Sequence, residues 1–178
     1  MNLHLGCGKR HIPGFVHIDA IDYPHVDHVA TIDNLSFLGD DSADLIYNCH
    51  VLEHFKRRDV PRVLKEWHRV LKPGGILRIS VPDFSQICEV YRKFRRLDLV
   101  VGPIFGRQDY LYNIHYNIFD ETSLTESLQA VGFTDIKRYD WRQTEHAHID
   151  DFSQAYIPHM DKEQGILISL NVECTKTP

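Results

Sequence analysis

Short apolar runs alternate along the chain with stretches of helical period, the pattern of an α/β fold built on a mostly parallel sheet. Residues 2–5 and 15–18 are predicted as the first two strands, and residues 28–31 as a third. Residues 44–49 (DLIYNC) and 75–81 (GILRISV) follow as the fourth and fifth. Between those two, Val60, Val63, Leu64, Trp67, Val70 and Leu71 recur at the spacing of one helix face. Asp59 stands where an N-cap is wanted, and Lys72-Pro73-Gly74 stops the run. A second helix is predicted over residues 83–96. A third starts from Asp120, carries Leu124, Leu128 and Val131 on one face, and ends at Gly132. Residues 134–139 and 166–173 supply two late strands.

A length of 178 residues suits one domain over 1–178, with no linker or repeat to divide it. No apolar run approaches the roughly 20 residues of a membrane span. The opening MNLHLGCG lacks the basic and apolar regions of a signal peptide. Cys7, Cys49, Cys88 and Cys174 are scattered without a C-x-x-C pair, as expected for reduced thiols in a cytoplasmic protein. A net charge of -5 argues against a general nucleic-acid binder. The basic clusters at residues 56–58 and 92–96 are read as solvated faces rather than anchors for an anionic acceptor. Histidine is over-represented, with 12 residues spread along the chain.

The candidate chemistry begins at Leu5-Gly6-Cys7-Gly8, where a strand runs into a turn with two glycines able to take positive φ. A G-x-G is unspecific alone. Asp19, ending the next strand, adds a carboxylate suited to both hydroxyls of a ribose. Asp33, followed by Asn34, could accept from an adenine amine; a plain Asp-Asn turn is the competing reading. The fourth strand ends in the polar cluster Asn48-Cys49-His50, and ligands of open α/β sheets bind beyond such carboxyl ends.

Together LHLGCG, Asp19, DLIYNCHVLEHF and RVLKPGGILRISVPDF resemble the signature motifs of class I S-adenosylmethionine-dependent methyltransferases. More narrowly, the chain is similar to short predicted methyltransferases often associated with sugar or cell-surface glycan pathways. The resemblance is close over residues 2–84 and looser beyond. It implies a Rossmann-like, mostly parallel seven-stranded sheet with an antiparallel last strand. It also implies that Gly6, Cys7 and Gly8, next to Leu5, cradle the methionine end of S-adenosylmethionine. Asp19 would then hold the ribose and Asp33 with Asn34 the adenine, with Asn48 and His50 near the reacting methyl.

Two departures stand out. Arg10 occupies the usual third glycine position, and residues 8–15 leave little room for a crossover helix. A nicotinamide fold would need G-x-G-x-x-G opening a helix, which is missing here.

The chain starts at its first strand, so no N-terminal cap is expected over the cofactor. Residues 97–119 and 141–164 are the expected lid segments and acceptor site, with a second subunit of a homodimer as one way to complete it. For an oxygen acceptor, His54 and His115 are the candidate bases, against a purely positioning role. His146, His148 and Asp150 alternate and would share one side of an extended stretch, where three such ligands could hold a metal; a polar loop is the favoured reading and no metal is expected. Glu53 beside His54 is not read as a metal site, for want of a second ligand pair nearby. The expected function is methyl transfer to an oxygen or nitrogen of a small-molecule or glycan-linked acceptor. A non-catalytic scaffold that keeps the fold is the alternative. A nucleic-acid or protein acceptor is disfavoured by the acidic balance.

Overall fold

The computed structural model describes residues 1–177. Asn2–Leu5 (β1) lies between Phe15–Asp19 (β2) and Ala43–Cys49 (β4), parallel to both, and His28–Val29 (β3) forms the edge beyond β2. Val60–Val70 (α1) leads into Leu71–Pro82 (β5), which pairs in parallel with β4. Phe84–Phe94 (α2), Val101–Phe105 (α3) and Glu121–Gln129 (α4) precede Phe133–Arg138 (β6). Tyr156–Ile157 (β7) and Ile166–Leu167 (β8) pair in a separate two-stranded sheet. Ser169–Lys176 (β9) then inserts between β5 and β6, antiparallel to both. The seven-stranded order β3-β2-β1-β4-β5-β9-β6 is the predicted mostly parallel α/β sheet with its last strand reversed.

Strand side chains alternate between faces, and here the two faces differ sharply. Leu3, Leu5, Ile18, Ile46, Leu77, Ile79, Leu170 and Val172 belong to one aliphatic core with Leu64 and Trp67 of α1 and Leu124 and Leu128 of α4. The opposite face carries His4, His17, Tyr47, Arg78, Ser80 and Asn171. Residues 139–155, with two single-turn 3₁₀ helices, cover its centre. Tyr47 Oη donates to Asp151 at 2.5 Å, Tyr139 Oη lies 2.7 Å from Ser80 Oγ, and Arg78 donates to Glu145 at 2.9 Å. The crossover from β1 to β2 has no helix, as its length suggested. Histidine rings gather there instead: His17 lies 4.8 Å from His11, 5.4 Å from His25 and 5.5 Å from His4, centroid to centroid. This clustering accounts for part of the histidine surplus.

Four expectations need correction. The third strand is only two residues long. The last apolar run is not one strand, because the chain changes sheets at Ile168, whose N–H donates to Ala155 and whose carbonyl accepts from Asp83 N. The apolar Ile166-Leu167-Ile168 leads directly into the alternating residues 169–173, with no glycine or proline to mark the switch. Asp59 itself has helical dihedrals and its side chain makes no cap; Pro61 sits in the first turn, where a missing N–H costs nothing. Lys72-Pro73-Gly74 belongs to β5, with Gly74 at φ 76° and a register shift opposite Ala43 and Leu45. Among the described residues, no helix is long and apolar enough to cross a membrane.

Candidate active site

The carboxyl ends of β1, β2 and β4 meet at one place, because Leu5 is in register with Ile18 and with Asn48. Gly6 and Gly8 both take positive φ, 65° and 55°. They do so for different reasons. A Cβ on Gly6 would lie 2.6 Å from Val51 Cγ2, so this glycine lets the turn pack on the chain after β4. A Cβ on Gly8 would meet nothing nearer than Arg10 Nη1 at 3.9 Å, so the backbone there is open to a ligand.

Asp19 ties this turn to β2. Its Oδ2 accepts from Gly8 N and its Oδ1 from Ile21 N, both at 2.8 Å. Each carboxylate oxygen has two lone pairs, so acceptor capacity remains for hydroxyl groups. Asn48 is wholly buried, and neither its amide nitrogen nor its oxygen has a partner among the described residues. An amide left so is costly unless something else satisfies it. Cys7 Sγ lies 3.7 Å from His25 Nε2, and burial first, then Asp19, pushes its thiol up to about 12. That makes it a poor nucleophile.

Asp33 is otherwise engaged: Arg62 Nη2 donates to its carboxylate at 2.6 Å and Nη1 to its carbonyl at 3.1 Å. Asn34 Oδ1 accepts from Ser36 N at 3.3 Å. Both line an open hollow with Ser36, Arg62, Lys65, Glu66 and Arg69.

After β4 the chain passes through His50, at φ 54°, into the 3₁₀ turn Leu52–His54. Glu53 in that turn is fully buried, and burial raises its carboxyl to about 8. Burial, followed by His115, His54 and Arg10, depresses His50 to about 3, and burial with His54 depresses His115 to about 4. His54 is lowered by burial, opposed by the carbonyls of Ile114 and His50. His115 arrives from a distant loop because Tyr116 N and Asn117 N both donate to the Glu53 carbonyl, at 2.8 and 3.2 Å. Glu53 was absent from the candidate residues, and sequence spacing alone could not bring His115 to it.

The expected lid segments differ. Residues 141–157 are packed on the sheet, with Trp141, His146, Asp151 and Tyr156 buried. Residues 105–118 expose Phe105, Tyr110, Leu111, Tyr112 and Tyr116, and Asp19 contributes to raising the Tyr110 hydroxyl behind burial, Tyr23 and Asp109. His146, His148 and Asp150 do not share a side: their stretch is a series of turns, with His146 buried against Tyr47 and the other two exposed. Arg10, in the third glycine position, donates to the Asp150 carbonyl at 3.1 Å and lies 5.2 Å from the Phe152 ring.

A sheet of this order, with a glycine turn and an acidic residue at adjacent strand ends, defines a Rossmann-like group-transfer fold of the class I methyltransferase type. A family model described as a methyltransferase domain matches residues 4–138, and the chain belongs to that family. A demethylmenaquinone methyltransferase of Staphylococcus epidermidis is 30% identical over 128 residues, covering 60% of this chain and 51% of that protein. The chain therefore spans about half the length of such curated relatives. A SAM-dependent methyltransferase from Archaeoglobus fulgidus superposes with a TM-score of 0.60 at 14% identity, covering 98% of this chain and 85% of the other. The 1,6-didemethyltoxoflavin-N1-methyltransferase of Burkholderia thailandensis, solved with bound 1,6-didemethyltoxoflavin and S-adenosylhomocysteine, gives a TM-score of 0.56 at 16% identity, covering 99% of this chain and 71% of the other.

Proposed function

We propose that the chain is a single-domain S-adenosylmethionine-dependent methyltransferase that methylates an oxygen or nitrogen of a small-molecule or glycan-linked acceptor. The carrying observation is the Gly6–Gly8 turn tied by Gly8 N to Asp19, beside the unpartnered amide of Asn48. These residues fit the cofactor. Gly8 leaves the backbone approachable, Asp19 keeps lone pairs for ribose hydroxyls, and Asn48 offers both a donor and an acceptor to a zwitterionic amino acid. When bound, S-adenosylmethionine supplies an electrophilic methyl group, and displacement there depends chiefly on holding the acceptor in line. The exposed aromatic groups of residues 105–118 are suited to hold it. An oxygen acceptor must also lose its proton, and the lone pairs gathered by Glu53, His54 and His115 stand ready at this end of the sheet. The Staphylococcus and Burkholderia relatives are named for small-molecule acceptors, which supports that class here.

Calorimetry with S-adenosylmethionine tests this reading, on wild type, Asp19→Ala and Asp19→Asn, with thermal melts of each to separate folding from binding. Micromolar binding, weakened at least tenfold by Asp19→Ala, corresponds to about 1.4 kcal/mol or more. The helix-free crossover favours one rival, a scaffold that keeps the fold and has lost the cofactor. Absence of binding to the folded wild type would put that rival first.

A further inference from the structure

Glu53 is a carboxylate with nothing to hold it. It is 0% exposed, and neither Oε1 nor Oε2 has a hydrogen-bond partner among the described residues. A buried carboxylate in that condition is costly unless a cation or donor meets it. What faces it is imidazole. His50 Nδ1 lies 3.5 Å and His115 Nε2 3.9 Å from Oε1. One ligand atom each of Glu53, His54 and His115 falls within 4.8 Å of the others.

The tautomers of these rings follow from their other partners. Backbone carbonyls only accept, so His54 Nδ1 donates to Ile114 O at 3.1 Å and His115 Nδ1 donates to Pro103 O at 2.9 Å. A neutral ring so held carries its lone pair on Nε2. For His50 the chain of inference has one more link. Asn171 Nδ2 donates to Ser153 O, and Asn171 Oδ1 accepts the hydroxyl of Ser169, each at 2.9 Å. With its hydrogen used, Ser169 Oγ accepts from His50 Nε2 at 3.1 Å, which leaves His50 Nδ1 bare. With the rings neutral and Glu53 ionised, the cluster is four acceptor groups without a donor among them. One proton on Glu53 would satisfy a single neighbour and leave the other two rings facing oxygen with lone pairs.

We propose that Glu53, His54 and His115 bind a divalent first-row transition-metal ion, with zinc the best match to two imidazoles and one carboxylate. Metal-bound histidines characteristically give their second ring N–H to a backbone carbonyl, which is the arrangement of both His54 and His115. Two histidines and one carboxylate leave coordination positions open, the pattern of a site that takes water or a substrate oxygen. Ligands about 2.0–2.2 Å from an ion stand roughly 3–3.5 Å apart, so binding draws these side chains in by about an ångström. The frame is already built: Tyr116 N and Asn117 N hold the Glu53 carbonyl, and Asn117 Nδ2 donates to Phe55 O at 2.5 Å. Gly106 shapes the loop that carries His115, since a Cβ there would lie 2.4 Å from the Asn113 carbonyl oxygen.

The test is a titration of untagged, chelator-stripped protein with Zn²⁺ by calorimetry, beside Glu53→Gln and His115→Asn. Glu53→Gln keeps the shape and removes the charge. One equivalent bound at micromolar affinity or tighter, weakened at least a hundredfold in both variants, is the expected result. No stoichiometric binding to wild type, or binding unchanged in both variants, overturns the site. Should a variant fail to fold, Co²⁺-loaded wild type decides. Visible d–d bands without a thiolate charge-transfer band support nitrogen and oxygen ligation, whereas a thiolate band or none at all refutes it. Neither methyl donor nor acceptor enters this titration, so its failure leaves the methyl-transfer reading untouched, and the reverse holds too.

Discussion

One face of the sheet is aliphatic and covered by helices; the other is polar, ring-rich and covered by turns. On the first, Leu3, Ile46, Leu77 and Cys174 lie in register across four strands beneath α1 and α4. Burial there rests chiefly on shape and volume, since most of these side chains carry no polar atom. On the second, a smaller apolar cluster around Phe15, Leu45 and Ile149 is joined by specific polar pairs to the cover, such as Tyr47 with Asp151 and Arg78 with Glu145. A surface built from such pairs depends on each partner, and on the protonation of its histidines. The comparison teaches that one sheet can rest on two kinds of stability, one indifferent to pH and one sensitive to it.

The largest effect is expected on the aliphatic side. Trp67 is fully buried and its Nε1 donates to Ile32 O at 2.9 Å. Trp67→Ala should cost about 3–5 kcal/mol in urea melts, a large share of what a domain this size has. That loss should be the same at pH 7.5 and pH 5; a strong pH dependence would break the contrast between the faces.

The polar face should respond to acid. Burial, followed by His17, His146, His25 and Arg10, lowers His4 to about 3. The unfolded chain protonates such a ring near pH 6.5 and the folded chain only near 3, so between those values the unfolded state binds more protons. Stability is therefore full above about pH 6.5 and falls as the pH drops, at up to about 1.4 kcal/mol per pH unit. By pH 4.5 this single ring should account for about 3 kcal/mol. His4→Leu should flatten the acid limb by that amount, and equal slopes for the two proteins would show that the ring does not govern it.

A smaller, sharper probe is Tyr47→Phe, which deletes the donor to Asp151 without opening a cavity. Asp151 Oδ1 keeps Ser153 N and Oγ, at 2.9 and 2.5 Å. The expected loss is about 1–2 kcal/mol by urea melt. A change within experimental error would mean that the cover over this face is held by its other pairs.

How much was legible beforehand follows the same division. Strand alternation and the stripe of α1 are local signals, so β1, β2, β4 and the aliphatic core could be read directly, as could the capping of α4 by Asp120. The change of sheets at Ile168 could not, because Ile166, Leu167 and Ile168 run straight into the alternating residues 169–173 and only the backbone bond to Ala155 decides it. The glycine turn and Asp19 were visible as a motif. The engagement of Asp33 by Arg62 was not, since the arginine comes from a different element. Glu53 and His54 were in plain view as neighbours, yet their meaning rests on His115, brought in over sixty positions by two backbone hydrogen bonds.

The insertion of β9 bears on how the molecule is made. Its partners β5 and β6 are synthesised first, and neither touches the other in the finished sheet. Until residues 169–176 leave the ribosome, β5 shows an unpaired edge and β6 has no neighbour at all. Such edges invite pairing with other chains. The nascent protein thus passes through a period in which its most aliphatic strand is open on one side. Its yield in a cell should depend on how promptly residues 169–176 arrive.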